Sequence, residues 1–259
     1  MSRDERPLEE GLTRATPTDG ATIGANDSSA IGSGRLEVLG LLPNSSNYTF
    51  LARAAAPDGE QVLAVYKPHR GESPLWDFPD GSLGRREVAA FVVAQALGWP
   101  NVPPTLLREG PQGPGSVQLF VPFEPQEHYF TLQGRFADEF RAIAAFDLVV
   151  NNADRKGGHC LLGEDGRVWA IDHGVCFHEE PKLRTVIWEY IDEPIPQGLV
   201  DDIGSFGEHL AEGRAPRHDL EGLLGEAEID ALGRRIEAVV ARPVFPSPDV
   251  ERPYPWPPV

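Results

Sequence analysis

The sequence predicts an α+β protein of two lobes, a β-rich N-lobe followed by a mostly helical C-lobe. Three observations carry this expectation. Short apolar segments separated by turn residues fill positions 35–67, and apolar spacing turns helical beyond the Pro122-Phe-Glu-Pro125 break. Third, the polar segment Asn151–His159 is joined by a short hairpin to Ile171-Asp-His-Gly174, which sets two carboxylates, a lysine and a histidine on adjacent turns.

In chain order, residues 1–30 are polar, acidic and rich in Thr, Ser and Gly, and are expected to form a disordered arm. The N-lobe is expected over 31–122. Leu36–Leu42, Tyr48–Ala54 and Gln61–Lys67 read as antiparallel strands, because Pro-Asn-Ser-Ser and Pro-Asp-Gly between them favour tight turns. Arg85–Leu97 reads as a helix stopped by Gly98 and Pro100, apolar on nearly every side from Val88 to Ala94 and therefore buried between layers. Ser116–Val121 is a further strand.

The C-lobe is expected over 123–242. Phe136, Phe140, Ile143 and Val150 recur at helical spacing and lead into the Asn151–His159 segment. Cys160–Leu162 and Val168–Ile171 flank a Glu-Asp-Gly turn and form the hairpin. Ile229, Leu232, Ile236 and Val240 mark a late amphipathic helix. The proline-dense tail 243–259 reads as extended chain laid on the surface through its aromatics.

Composition removes several function classes. A net charge of −17 without a basic run argues against nucleic acid and anionic membrane surfaces, which are bound by clustered Lys and Arg. No apolar run reaches the length of a membrane span and no signal-peptide order opens the chain, so a cytoplasmic protein without membrane insertion is expected. Two cysteines make no disulfide framework.

The lysines narrow the chemistry. Only Lys67, Lys156 and Lys182 stand against twenty arginines, so a lysine suggests a need for a compact ammonium. Phosphoryl transfer requires a held triphosphate, neutralising metal and a carboxylate at the attacking hydroxyl. Lys67 ends a strand and can reach phosphates, with Glu87 on the next helix to fix it. Ser45 and Ser46, in the turn between the first two strands, can cover phosphates with hydroxyls and backbone N–H groups. Asp154 can orient the acceptor, Asp172 can bind Mg²⁺, and His159 faces the same space. Asp147 reads as a packed core acid.

This order resembles the phosphatidylinositol 3- and 4-kinase-like branch of atypical kinases. Asp154-Arg-Lys-Gly-Gly-His159 sits on that family's Asp-Arg-His-x-x-Asn loop, and Asp172-His-Gly174 on its Asp-Phe-Gly metal motif. The resemblance is strongest to a small actinobacterial family with distant similarity to these lipid kinases. It implies a bilobal protein-kinase-like fold, ATP with Mg²⁺ or Mn²⁺, and adenine against a connector holding Val121 and Phe123. It also implies Lys156 on the γ-phosphoryl group, metal on Asp172 and His159, and a hydroxyl acceptor on a protein or small molecule. Three positions depart from the family: Lys156 replaces histidine, His159 replaces asparagine and His173 replaces phenylalanine. Histidine favours transition metals, which points to Mn²⁺. Two other readings use the same residues: a nucleotide-binding regulator or AMP-transferring enzyme, and a zinc site of His159, Cys160, His173, Cys176 and His178.

Overall fold

A computed structural model of the chain describes residues 25–43, 47–55, 59, 61–248 and 252–259. The expected arm lies mostly outside these, but its end is a helix, α1 (Ala25–Ser33). The reason is burial: Ala30 and Ile31 are fully covered by the sheet, and Arg108 donates to the Ile31 carbonyl at 2.7 Å.

The N-lobe sheet holds β1 (Arg35–Leu41), β2 (Phe50–Ala55), β3 (Gln61–Pro68), β4 (Thr105–Gly110) and β5 (Gly113–Leu119). All neighbours are antiparallel in the order β1-β2-β3-β5-β4. Strand β4 is absent from the sequence reading. Its partner turn is crowded with glycine and proline, which hides a tight hairpin with Gly113 at φ +100°. Along β3 the buried face carries Ala64 and Tyr66, packed with Ala52 and Val117. Strand alternation then turns Lys67 to the opposite face.

Helix α2 (Leu83–Leu97) starts two residues before the expected boundary and ends at Gly98, whose φ of +80° suits glycine. Glu72 accepts the N–H groups of Leu83 and Gly84 at 3.3 and 3.1 Å, satisfying two donors of the first turn. Arg86 joins the lobes: it donates to the Cys176 carbonyl at 2.6 Å, pairs with Glu228 and lies 4.7 Å over the Phe78 ring. Glu87, one residue on, is thereby held beside the C-lobe.

The C-lobe comprises α3 (Tyr129–Leu132), α4 (Ala137–Val150), the hairpin β6 (Cys160–Leu162) and β7 (Val168–Ala170), then α5 (Gln197–Ala211), α6 (Ala215–Glu221) and α7 (Glu226–Ala241). The expected stripe on α4 is buried at Phe140, Ile143 and Val150, against Val93 of α2 and Ile229 of α7. Truncating a fully buried residue such as Phe140 to Ala typically costs about 3–5 kcal/mol. Among the described residues no helix is long and apolar enough to cross a membrane.

The tail does run over the C-lobe, but its exposed aromatics do not hold it. Tyr254 and Trp256 are 57% and 88% exposed, whereas buried Phe245 and backbone carbonyls anchor the segment. The Pro253 carbonyl accepts the Thr185 N–H at 3.0 Å and the Trp188 indole N–H at 3.2 Å.

Candidate active site

The site forms where the sheet, α2 and the turns around the β6–β7 hairpin meet. Lys67 contacts the Glu87 carboxylate and lies 2.8 Å from Asp172 Oδ1. Glu87 is almost fully buried and also accepts the His173 N–H at 3.0 Å, so it ties the lysine strand to the Asp172 turn. Burial works against the Lys67 charge, but Asp172 and Glu87 outweigh it and its pKa rises. Burial pushes the Glu87 carboxyl up against the pull of Lys67. For Asp172, burial is overcome by Lys67 and His159, and the carboxyl is held well below its usual range. Asp172 sits at φ +60°, a conformation uncommon outside glycine, asparagine and aspartate.

Both oxygens of Asp172 are engaged, since His159 Nε2 is 3.2 Å from Oδ2. His159 Nδ1 accepts the Lys156 N–H at 3.3 Å, which places the ring proton on Nε2. Burial pushes His159 down to about 4, with Asp172 opposing, so the ring is neutral near pH 7. As a metal ligand through Nε2, His159 must move that proton and give up the Lys156 bond. The donor set otherwise suits a hard divalent cation held by one carboxylate and phosphate oxygens.

Asp154 lies on the same cavity, with Lys156 Nζ 3.4 Å from its Oδ2. Its N–H donates to Asn152 Oδ1 at 3.0 Å. Burial pushes Asp154 up to about 6; Lys156 opposes this and Asp172 adds to it. A carboxylate of that basicity is suited to accepting a hydroxyl proton. The cavity, of about 340 Å³, is lined by Lys67, Glu87, Asp154, Lys156 and Asp172.

A buried network holds these turns in place. Helix α4 ends at Asn151, whose φ is +53°. Arg155, fully buried, pairs with Asp147 (both contacts 2.9 Å) and donates to the Ile171 carbonyl at 2.9 Å. Its Nη2, which also donates to Asp147 Oδ1, lies 2.7 Å from His173 Nε2. Asn152 donates to Asp147 at 2.9 Å, so the core acid expected at 147 carries the whole loop. Burial, then Arg155, drives the His173 pKa well below its ordinary value, and the neutral ring packs edge-on to Phe146 at 5.5 Å. His173 thus packs on Phe146 while its Nε2 faces the Arg155 guanidinium.

Ser45 and Ser46 fall outside the described residues. Val121 and Phe123 do not line the lysine cavity; they pack with Leu161, Trp169 and Ile171 on the hairpin, beside Asp172 in sequence. The five residues of the zinc reading do not converge. Burial pushes Cys160 up to about 12 and raises Cys176 also, and the His178 ring stacks edge-on to Phe78 at 5.3 Å. Among the described residues no group of three or more His, Cys, Asp or Glu is placed to hold a metal.

The phosphatidylinositol 3- and 4-kinase family model matches residues 105–204. Protein Rv2133c of Mycobacterium tuberculosis (strain ATCC 25618 / H37Rv) is 38% identical over 272 residues, covering 91% of this chain and 96% of that protein. The chain belongs to the family of Rv2133c, and its residues 105–204 are similar to the phosphatidylinositol 3- and 4-kinase family.

The relation to lipid kinases proper is partial. Phosphatidylinositol 4-kinase gamma 4 of Oryza sativa subsp. japonica is 32% identical over 168 residues, covering 51% of this chain and 30% of the plant protein. Two solved structures share the bilobal kinase fold. One is the Golgi casein kinase (TM-score 0.57, 15% identity, 89% of this chain and 76% of that one). The other is that kinase with Mn/ADP bound (TM-score 0.51, 13% identity, 87% and 80%). The stretch matched by the phosphatidylinositol-kinase family model contains Asp154, Lys156, His159 and Asp172. Lys67 and Glu87 lie outside it and rest on geometry alone.

Proposed function

We propose that this member of the Rv2133c family is an ATP-dependent phosphotransferase that moves a phosphoryl group to a hydroxyl of a protein or small molecule. The observation that carries this reading is the triangle of Lys67, Glu87 and Asp172, which joins a strand of one lobe to a turn of the other. Lys67 would meet the triphosphate, with Glu87 fixing its ammonium. Asp172 would hold Mg²⁺ or Mn²⁺, which supplies neutralisation of phosphate charge; His159 would join it once its Nε2 proton has moved. Asp154 would take the acceptor proton. Lys156, now paired with Asp154, would steady charge on the γ-phosphoryl group. Adenine would lie towards the Val121 and Phe123 connector, and the Ser45–Ser46 turn would cover the phosphates.

The Mn/ADP-bound relative in fold supports a nucleotide and a divalent metal. Calorimetric titration with ATP in the presence of Mn²⁺ tests the reading. Binding that weakens strongly in Asp172→Ala agrees with it, and absence of binding to the wild-type protein rejects it. A second reading, a regulator that binds nucleotide without transfer, is favoured by one observation: both Asp172 oxygens already have protein partners. Phosphoryl release from γ-labelled ATP separates the two, and α-label transfer would identify an AMP-transferring enzyme.

A further inference from the structure

The C-terminal segment reaches the catalytic turn. The Pro258 carbonyl accepts the Gly157 N–H at 2.7 Å, next to Lys156. Gly157 makes room for the Phe130 ring beside this contact, since a Cβ there would lie 2.9 Å from the ring. The segment thus brings Trp256 to the cavity that holds Asp154 and Lys67. Tyr48 and Trp76 line the same cavity and, like Trp256, are largely exposed (62%, 91% and 88%). Three largely exposed aromatic side chains gathered around one cavity mark a candidate site for an apolar ligand face. Arg184 also lines the cavity, and no ion pair to it is found among the described residues, whereas Lys156 is neutralised by Asp154.

We propose that residues 252–259 form the acceptor side of this site, with Trp256 and Arg184 selecting a small alcohol that carries a flat apolar face and an anionic group. This inference rests on the phosphotransferase reading. The aromatic wall takes the apolar face and excludes water from the phosphoryl group, and the guanidinium takes the anion. In the transfer, the bond from the γ-phosphorus to the bridging oxygen breaks and leaves ADP. A new bond forms to the alcohol oxygen, and the alcohol proton passes to Asp154.

The test uses the full chain with ATP, Mn²⁺ and 4-(hydroxymethyl)benzoate as probe acceptor, with benzyl alcohol as its uncharged counterpart. Wild-type protein is expected to phosphorylate the charged probe in preference to benzyl alcohol. Trp256→Ala should raise the KM for both alcohols by about tenfold and increase ADP release to water several-fold, as expected for a lost aromatic contact and an opened site. Arg184→Gln should raise the KM for the charged probe alone. Neither variant should change ATP affinity by more than about twofold, since neither is assigned to the nucleotide. A merely structural segment would lower every rate together, and that result overturns the proposal. So does equal ADP release in wild type and Trp256→Ala, or failure of the wild type to phosphorylate the charged probe. Deleting residues 252–259 should reproduce the Trp256→Ala pattern. A wild-type protein that binds no ATP with Mn²⁺ instead removes the phosphotransferase reading, and this inference with it.

Discussion

Lys67 Nζ lies 2.8 Å from Asp172 Oδ1 although 105 residues separate them, and Glu87 reaches both ends of that contact. The contact couples the stability of the cleft to its chemistry. Replacing Lys67 by Met leaves the buried Glu87 carboxylate without its cation, a loss of about 3–5 kcal/mol for a broken buried pair. Adding Glu87→Gln should recover part of the stability in urea unfolding. It should recover none of the phosphoryl transfer, because the ammonium is still missing. Full recovery of both would show that Lys67 serves only to pair.

Transfer should depend on pH through Asp154. Its carboxyl is pushed up to about 6, and only the deprotonated form accepts a proton. The kcat/KM should therefore fall as pH drops below about 6 and level above it. A profile flat from pH 5 to 7 would remove Asp154 from the proton's path.

His159 should contribute to acid sensitivity of the fold with the opposite sign. Its folded pKa is about 4 against an ordinary value of about 6.5, so the unfolded chain binds the extra proton between these values. Its share of stability is complete above pH 6.5 and is lost as pH falls towards 4. Asp154 offsets part of this, since its raised pKa favours the folded state as pH drops over an overlapping range. His159→Asn should remove the histidine share and make acid unfolding less steep below pH 6.5. With the asparagine of the related motif restored, Mg²⁺ should also gain on Mn²⁺ in supporting transfer. Unchanged metal preference would place His159 outside the metal shell.

Arg155 should behave as the support of the catalytic turn. Arg155→Met strands Asp147 in the core and should cost about 3–5 kcal/mol. Thermal unfolding and transfer should fall together, whereas Lys156→Met should reduce transfer with little change in melting temperature. Equal effects of the two substitutions on stability would contradict the division between buried support and cleft cation.

Much of this was legible in the sequence, for identifiable reasons. Lys67, Glu87, Asp154 and Asp172 stand at ends of clearly patterned elements, and lysine scarcity drew attention to two of the site's cations. The chain's periodicity could not show that Arg155 is buried, because an arginine between two polar residues reads as exposed. A core acid on the preceding helix, eight residues earlier at Asp147, was the available signal. Strand β4 was hidden by its glycine- and proline-rich turn. Helix α5 has a buried stripe at Val200, Ile203, Phe206 and Leu210 that the sequence reading passed over. The tail's aromatics were visible as residues, but their place at the cleft depends on a long-range hydrogen bond to Gly157, which no local pattern encodes.

The most direct measurement is transfer of label from γ-labelled ATP with Mn²⁺ by wild-type protein and by Asp154→Ala, alongside nucleotide affinity for both. The account predicts acceptor labelling by wild type, loss of about two orders of magnitude or more in the variant, and nearly equal affinities. Wild-type rates in Asp154→Ala would contradict it.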